Sequence, residues 1–248
     1  MGILLYLMDL QFADKCTEHF LDSMPLLTTI SPWPQARVYL WDITESEHEL
    51  LAMVHMTQQS LQRFGSMKSQ VHRNGFLSVR TLLQAADLSD DDLYYDSFGK
   101  PFLHSGQYIS ITHSHTRSAI IVAPYPVGID IELRRPKILR IAHKFCPGIS
   151  AELEQLVPES VDQYTYFWTA KESIYKMASM PGLGFLNDIA LSEWNQDQDF
   201  SAVIPKEMDG CIKAKGKITK GTGRKFLFKG FIADQYVCGM TKDAWAND

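Results

Sequence analysis

Val127-Gly128-Ile129-Asp130-Ile131-Glu132 alternates apolar and acidic residues. Side chains of an extended chain point to alternate faces. Ile129 and Ile131 therefore share one face, and Asp130 and Glu132 share the other. Two further strand candidates precede this run, Tyr108 to Thr112 (YISIT) and Ser118 to Ala123 (SAIIVA). Pro124-Tyr125-Pro126 separates SAIIVA from VGIDIE, and the proline turn predicts antiparallel pairing across it. Beyond VGIDIE come short helices over Arg140 to Phe145 and Ala151 to Val157. A long helix over Val161 to Met180 follows, stopped by Pro181-Gly182. Four strand-like runs come last: Ala190 to Trp194, Cys211 to Ile218, Phe226 to Ala233 and Tyr236 to Thr241.

Upstream, Ile3 to Leu7 reads as a strand and Ala13 to Met24 as a short helix. Ser31-Pro32-Trp33-Pro34 is a loop, and Arg37 to Asp42 is a strand. Glu45 to Phe64 is helical by composition. In Gln70 to Ala86, Phe76, Val79, Leu83 and Ala86 recur at helical spacing. Asp90 to Asp92 reads as a solvated turn. Both halves mix helices and strands, with no βα alternation long enough for a doubly wound sheet. The expected class is α+β, with halves 1–124 and 125–248 meeting near the Pro124 to Pro126 turn. No internal sequence repeat is evident.

Composition narrows the function classes. The chain has 248 residues, 45% apolar and 21% charged, which fits a folded globular protein of one large domain or two smaller ones. A net charge of -5 argues against a general nucleic-acid binder. No run approaches the roughly 20 apolar residues of a membrane span. Ile3 to Met8 is short and lacks a positive flank, so it does not read as a signal peptide. Cys16, Cys146, Cys211 and Cys238 form no CxxC pair, and scattered thiols suit a reducing cytoplasm.

Three groups of residues carry candidate chemistry. Asp130 and Glu132 on one strand face suit a hard cation, since Mg²⁺ takes one or two carboxylates plus water and phosphate oxygens. The alternative is an amphipathic edge strand with a solvated acidic face. Trp168, Glu172 and Lys176 fall at i, i+4 and i+8, a stripe down the long helix. They offer an acid and a cation to a phosphate or metal, or else Glu172 and Lys176 form an ordinary helical ion pair. His113 and His115 share a face if their strand continues, and either pair a transition metal or are structural. Cys211 to Gly230 carries Lys213, Lys215, Lys217, Lys220, Arg224, Lys225 and Lys229 without an acid. It is either a docking face for an acidic partner or a lysine-guarded edge hairpin.

Taken in order, the histidine strand end, GIDIE and WxxKExxxK resemble the 4′-phosphopantetheinyl transferase superfamily, in its long, pseudo-dimeric type. That resemblance implies two similar α/β halves with the active site at their interface. It implies transfer of the 4′-phosphopantetheine arm of coenzyme A to a serine of an apo acyl or peptidyl carrier protein. It further implies a cytoplasmic monomer dependent on Mg²⁺, with Mn²⁺ as the alternative metal. Asp130, Glu132 and Glu172 would be the metal set, with Glu172 a ligand or the base. Lys176, assisted by Lys171 unless that is a surface lysine, would contact the pyrophosphate. Thr112, His113 and Lys100 would lie along the nucleotide, and Arg73 would hold its 3′-phosphate. Trp168 is expected to be a packing residue. Met56-Thr57-Gln58-Gln59-Ser60 lacks the lysines usual upstream of Arg73, leaving Arg63 or Lys68 as substitutes. Two rivals are a divalent-metal phosphohydrolase using His113, His115, Asp130 and Glu132, and a non-catalytic nucleotide- or carrier-binding module.

Overall fold

Strands β1 (Leu26–Ile30) and β2 (Arg37–Asp42) open the described part of the chain as an antiparallel pair. The computed structural model describes residues 26–221 and 223–245. The expected strand Ile3 to Leu7, the expected helix Ala13 to Met24 and Cys16 lie outside them. β5 (Tyr108–Ser114) and β6 (Arg117–Ala123) complete the first described sheet, in the order β1-β2-β6-β5. β3 (Leu93–Tyr95) and β4 (Pro101–Leu103) form a separate hairpin. The second sheet, β7-β11-β10-β9-β8, contains β7 (Val127–Leu133), β8 (Ile189–Gln196), β9 (Met208–Ile218), β10 (Lys225–Ala233) and β11 (Tyr236–Asp243). The mixture of helices and strands bears out the α+β class.

The expected β6–β7 hairpin does not form. β7 pairs antiparallel with β11, opposite Gly239 at Asp130 and Val237 at Glu132. Proline lacks an N–H and fixes its φ, so the double-proline turn steers the chain out of the first sheet. The apolar faces of the two sheets then meet around Val38, Leu40, Ile121, Ile129, Ile131, Phe231 and Met240. Burying each of these larger side chains contributes roughly 1.5–3 kcal/mol.

Two long helices cover the outer faces. α3 (Gln70–Ala85) buries Phe76, Val79, Leu82 and Leu83 against Trp41, Ile109 and Ile120 of the first sheet. α6 (Ser160–Ala178) buries Tyr166, Phe167 and Ala170 against Ile212, Phe228 and Val237 of the second. It ends at Ser179 in the left-handed conformation, φ 47°, just before Pro181-Gly182. Close approach of α6 to the sheet depends on Gly128 and Gly239. A Cβ on Gly128 would stand 1.9 Å from the Ser173 carbonyl oxygen, and one on Gly239 would stand 2.9 Å from Thr169 Oγ1.

Two local expectations need correction. Glu45 to Phe64 is not one helix but α1 (Glu47–Met53) and α2 (Gln58–Ser66). Thr57 starts the second helix by accepting from the Ser60 N–H, while Asp90 accepts from Thr57 N and Oγ1. Asp90 is therefore no solvated turn residue: it is buried and paired with Arg80 at 3.0 Å. The remaining described helices are α4 (Lys137–Ile141), α5 (Ala151–Leu156), α7 (Phe185–Asp188) and α8 (Gln198–Ser201). No described helix is long and apolar enough to cross a membrane.

Candidate active site

β5 and β7 are edge strands of their own sheets, and they meet without a backbone ladder between them. Side-chain hydroxyls bridge the gap. Ser110 Oγ accepts from Ile129 N at 3.1 Å, and Thr112 Oγ1 accepts from Ile131 N at 3.2 Å. Thr112 Oγ1 also donates to Asp130 Oδ1 at 3.2 Å, and Ser114 Oγ donates to Glu132 Oε2 at 3.3 Å. Residues two apart on β5 thus satisfy the free N–H groups of β7 and fix its two carboxylates. The period-2 hydroxyls Ser110, Thr112 and Ser114 were a legible sequence signal. Only Thr112 is singled out by the sequence reading, as a nucleotide contact. Its hydroxyl orients Asp130.

α6 lies over the same face of β7 and brings the cation. Lys176 Nζ donates to Asp130 Oδ1 at 2.7 Å and to the Ile129 carbonyl at 3.2 Å. The expected Glu172–Lys176 helical pair is replaced by this tertiary one, which holds a buried carboxylate. Trp168, expected only to pack, also donates from Nε1 to Glu132 Oε1 at 3.2 Å while its ring contacts Phe145 and Phe185. Both oxygens of Glu132 are therefore oriented.

Charge at this point is unbalanced toward the negative. Burial raises the Asp130 carboxyl above its ordinary range, with Lys176 opposing the shift. Burial and the Asp130 charge raise Glu132. Glu172 rises from 4.5 to about 7 through burial, then through Asp130, with Lys176 pulling down and Glu132 pushing up. Mutual influence of this kind places the three acids and one ammonium in a common electrostatic environment. Asp130 Oδ2 is buried without a hydrogen-bond partner among the described residues. An orphaned carboxylate oxygen and an all-oxygen donor set suit a hard divalent cation in chemistry. Among the described residues, no three His, Cys, Asp or Glu side chains form a finished metal cluster.

Two cavities reach the Asp130 partners Lys176 and Thr112 and share Gly99, Pro101 and Ile111 in their walls. One, about 350 Å³, is lined by Lys100, Ser110, Tyr175 and Lys176. Lys100 Nζ donates to the Met177 carbonyl at 3.1 Å, tying the loop before β4 to the end of α6. The other, about 340 Å³, is lined by Arg63, His72, Thr112 and His113. His113 is open to solvent on its cavity side. Its pKa is lowered by desolvation where the ring lies on α3, and then by the neighbouring His72 and Lys176.

Several expected site residues lie elsewhere. Arg73 is clasped by Glu47, with Nε donating at 2.8 Å and Nη2 also bonded, and its Nη1 donates to the Phe64 carbonyl. Arg63 and Arg80 line the cavity instead; Arg80 is paired with Asp90, while Arg63 is stacked 4.6 Å from the Tyr95 ring centroid. Lys171 is no surface lysine. It is buried, its Nζ donates to the Phe185 carbonyl, and burial lowers its pKa to about 8. His115 sits in the β5–β6 turn at φ 51°, so no His113–His115 strand-face pair exists. The basic stretch is answered within the chain: Lys215 pairs with Glu193 at 2.6 Å and Lys229 with Asp197 at 3.1 Å.

A two-sheet α+β protein with three acids and a lysine at the seam defines a class suited to chemistry on anionic phosphate esters. Residues 126–233 match the family model described as the 4′-phosphopantetheinyl transferase superfamily. The chain is 30% identical over 153 residues to 4′-phosphopantetheinyl transferase Sfp of Bacillus subtilis (strain 168), covering 58% of this chain and 68% of that protein. A 4′-phosphopantetheinyl transferase of Bacillus subtilis is 27% identical over 175 residues, 67% of this chain and 78% of the relative. The transferase gsp of Aneurinibacillus migulanus is 28% identical over 126 residues, 48% and 53% of the two chains. The chain belongs to the 4′-phosphopantetheinyl transferase superfamily.

Proposed function

We propose that this protein transfers the 4′-phosphopantetheine arm of coenzyme A to a serine of an apo acyl or peptidyl carrier protein. It does so as a cytoplasmic monomer of the long type, with halves 1–124 and 125–248. The observation that carries this reading is the meeting of Asp130 and Glu132 on β7 with Lys176 and Glu172 on α6. In the reaction, the serine hydroxyl attacks the phosphorus that bears pantetheine. The bond from that phosphorus to the bridging oxygen breaks, adenosine 3′,5′-bisphosphate leaves, and the serine proton passes to a base.

Each step draws on residues already placed. Lys176, fixed by Asp130 and the Ile129 carbonyl, sets a positive charge where the diphosphate lies. Glu172, the third acid of the cluster, stands on α6 over the same strand face, and we assign it the serine proton. Asp130 and Glu132 are the residues that would hold Mg²⁺ or Mn²⁺, which when bound supplies charge neutralisation for the phosphate oxygens. Thr112, Ser114 and Trp168 orient Asp130 and Glu132. Lys100 lines the cavity beside Lys176, and His113 and Arg63 line its neighbour. We assign the 3′-phosphate to His113 and Arg63, because Arg73 is occupied by Glu47.

The test mixes the protein with Mg²⁺, coenzyme A and a panel of apo carrier proteins, read by intact-protein mass spectrometry. A gain of one phosphopantetheine arm on any carrier is the expected result. No gain on any carrier, with release of a phosphopantetheine product to water instead, would put the protein among hydrolases.

A further inference from the structure

α3 carries a glycine in its interior, which weakens a helix relative to alanine. Gly75 is buried, and no turn or left-handed φ calls for it. What lies over it is the His113 ring. A Cβ at position 75 would stand 2.8 Å from His113 Cγ, 2.8 Å from Nδ1 and 3.2 Å from Cδ2. The ring therefore rests directly on helix backbone where a side chain is missing. His72, three residues earlier on the same helix face, borders it with a centroid distance of 6.0 Å and an interplanar angle of 61°. Among the described residues no hydrogen bond holds the His113 ring, so its seat is set by shape alone. The opposite side of the ring faces the cavity that also holds Arg63.

We infer that Gly75 is a positioning residue: its bare backbone is a socket that holds the His113 imidazole against α3 and so sets the depth of the cavity for a terminal phosphate. This rests on the assignment of the 3′-phosphate of coenzyme A to His113 and Arg63. A methyl group at position 75 meets the root of the ring, not its tip. The whole imidazole must swing off the helix, and the open side is the cavity itself. The fold has room to absorb this, while the ligand loses both the ring's position and part of the space. Alanine also favours the helix, so Gly75→Ala should not lower the melting temperature.

The experiment is calorimetric titration of the full-length protein with coenzyme A and with 3′-dephospho-coenzyme A, in Mg²⁺ and without an acceptor. The variants are Gly75→Ala, His113→Ala and the double substitution. Gly75→Ala should weaken coenzyme A about tenfold, leave the dephosphorylated analogue within about twofold, and add nothing to His113→Ala. If His113→Ala discriminates between the ligands but Gly75→Ala does not, the socket is wrong and the phosphate assignment stands. If His113→Ala fails to discriminate, the phosphate assignment itself is wrong. Equal weakening by Gly75→Ala with and without His113 shows an effect that bypasses the ring and overturns the inference. Should Gly75→Ala fold poorly, His113→Ala must restore folding, because it removes the clashing ring; failure to do so counts against the socket.

Discussion

Glu172→Gln removes one negative charge from the acid cluster and almost no volume. In the folded protein the Glu172 carboxyl titrates at about 7, against 4.5 unperturbed. The raised value means that the folded state holds a proton the unfolded state has released between those pH values. Stability therefore falls as pH rises from about 4.5 to 7, and the loss is complete above 7. At about 1.4 kcal/mol per pH unit the full shift is worth about 3 kcal/mol, an upper bound because the side chain is only half-buried. Glutamine abolishes this slope. Without divalent cations, the variant should match the parent near pH 4.5 and exceed it by up to about 3 kcal/mol at pH 8. For a chain of this size that corresponds to a melting-temperature rise of up to about 6–12 °C. Differential scanning calorimetry across pH 4.5–8 reads it directly. Transfer activity in Mg²⁺ should fall by at least about 100-fold in the same variant. An equal stability change at every pH would mean a packing effect, and no change at pH 8 would show that the three acids do not share one desolvated site. Either result refutes the charge argument.

Other perturbations probe the same seam. Addition of Mg²⁺ to the parent should raise its melting temperature at pH 8 and much less at pH 5, where the acids are increasingly protonated; equal shifts would show binding elsewhere. Thr112→Val keeps the shape but removes the partner of Ile131 N and Asp130, and should cost about 1–3 kcal/mol on denaturant titration with kcat falling more than KM. Gly128→Ala drives a Cβ into the Ser173 carbonyl and should destabilise by about 3 kcal/mol or more; a stable, fully active variant would contradict the packing of α6 on β7. Replacing Lys213, Lys215 and Lys217 together by Gln should leave KM for a carrier protein within about twofold, since Lys213 and Lys215 already face Asp197 and Glu193; a large rise at low salt would restore the docking face.

The groups that carry chemistry were legible because each is a local pattern. Alternation in VGIDIE put Asp130 and Glu132 on one strand face, and four-residue spacing put Trp168, Glu172 and Lys176 on one helix face. Both patterns are fixed by backbone geometry and survive into the structure. Arg63 and Arg73 show the limit. They lie in neighbouring helices of similar composition, and only the position of Glu47, distant in sequence, decides which guanidinium is free to face the cavity. The burial of Lys171 was equally illegible, because its partner is the carbonyl of Phe185 beyond the end of α6.

From its sequence alone, this protein was committed to an α+β chain with an acidic strand, a lysine-bearing helix and a histidine strand end. Residue periodicity and the Pro and Gly stops encode those features within a few neighbours. Only the tertiary structure decided that β7 leaves its proline hairpin for the second sheet and meets β5 through hydroxyls. It also decided that Lys176 answers Asp130 instead of Glu172. Edge pairing, burial and ion-pair choice depend on residues brought together from distant parts of the chain, and no local spacing encodes them.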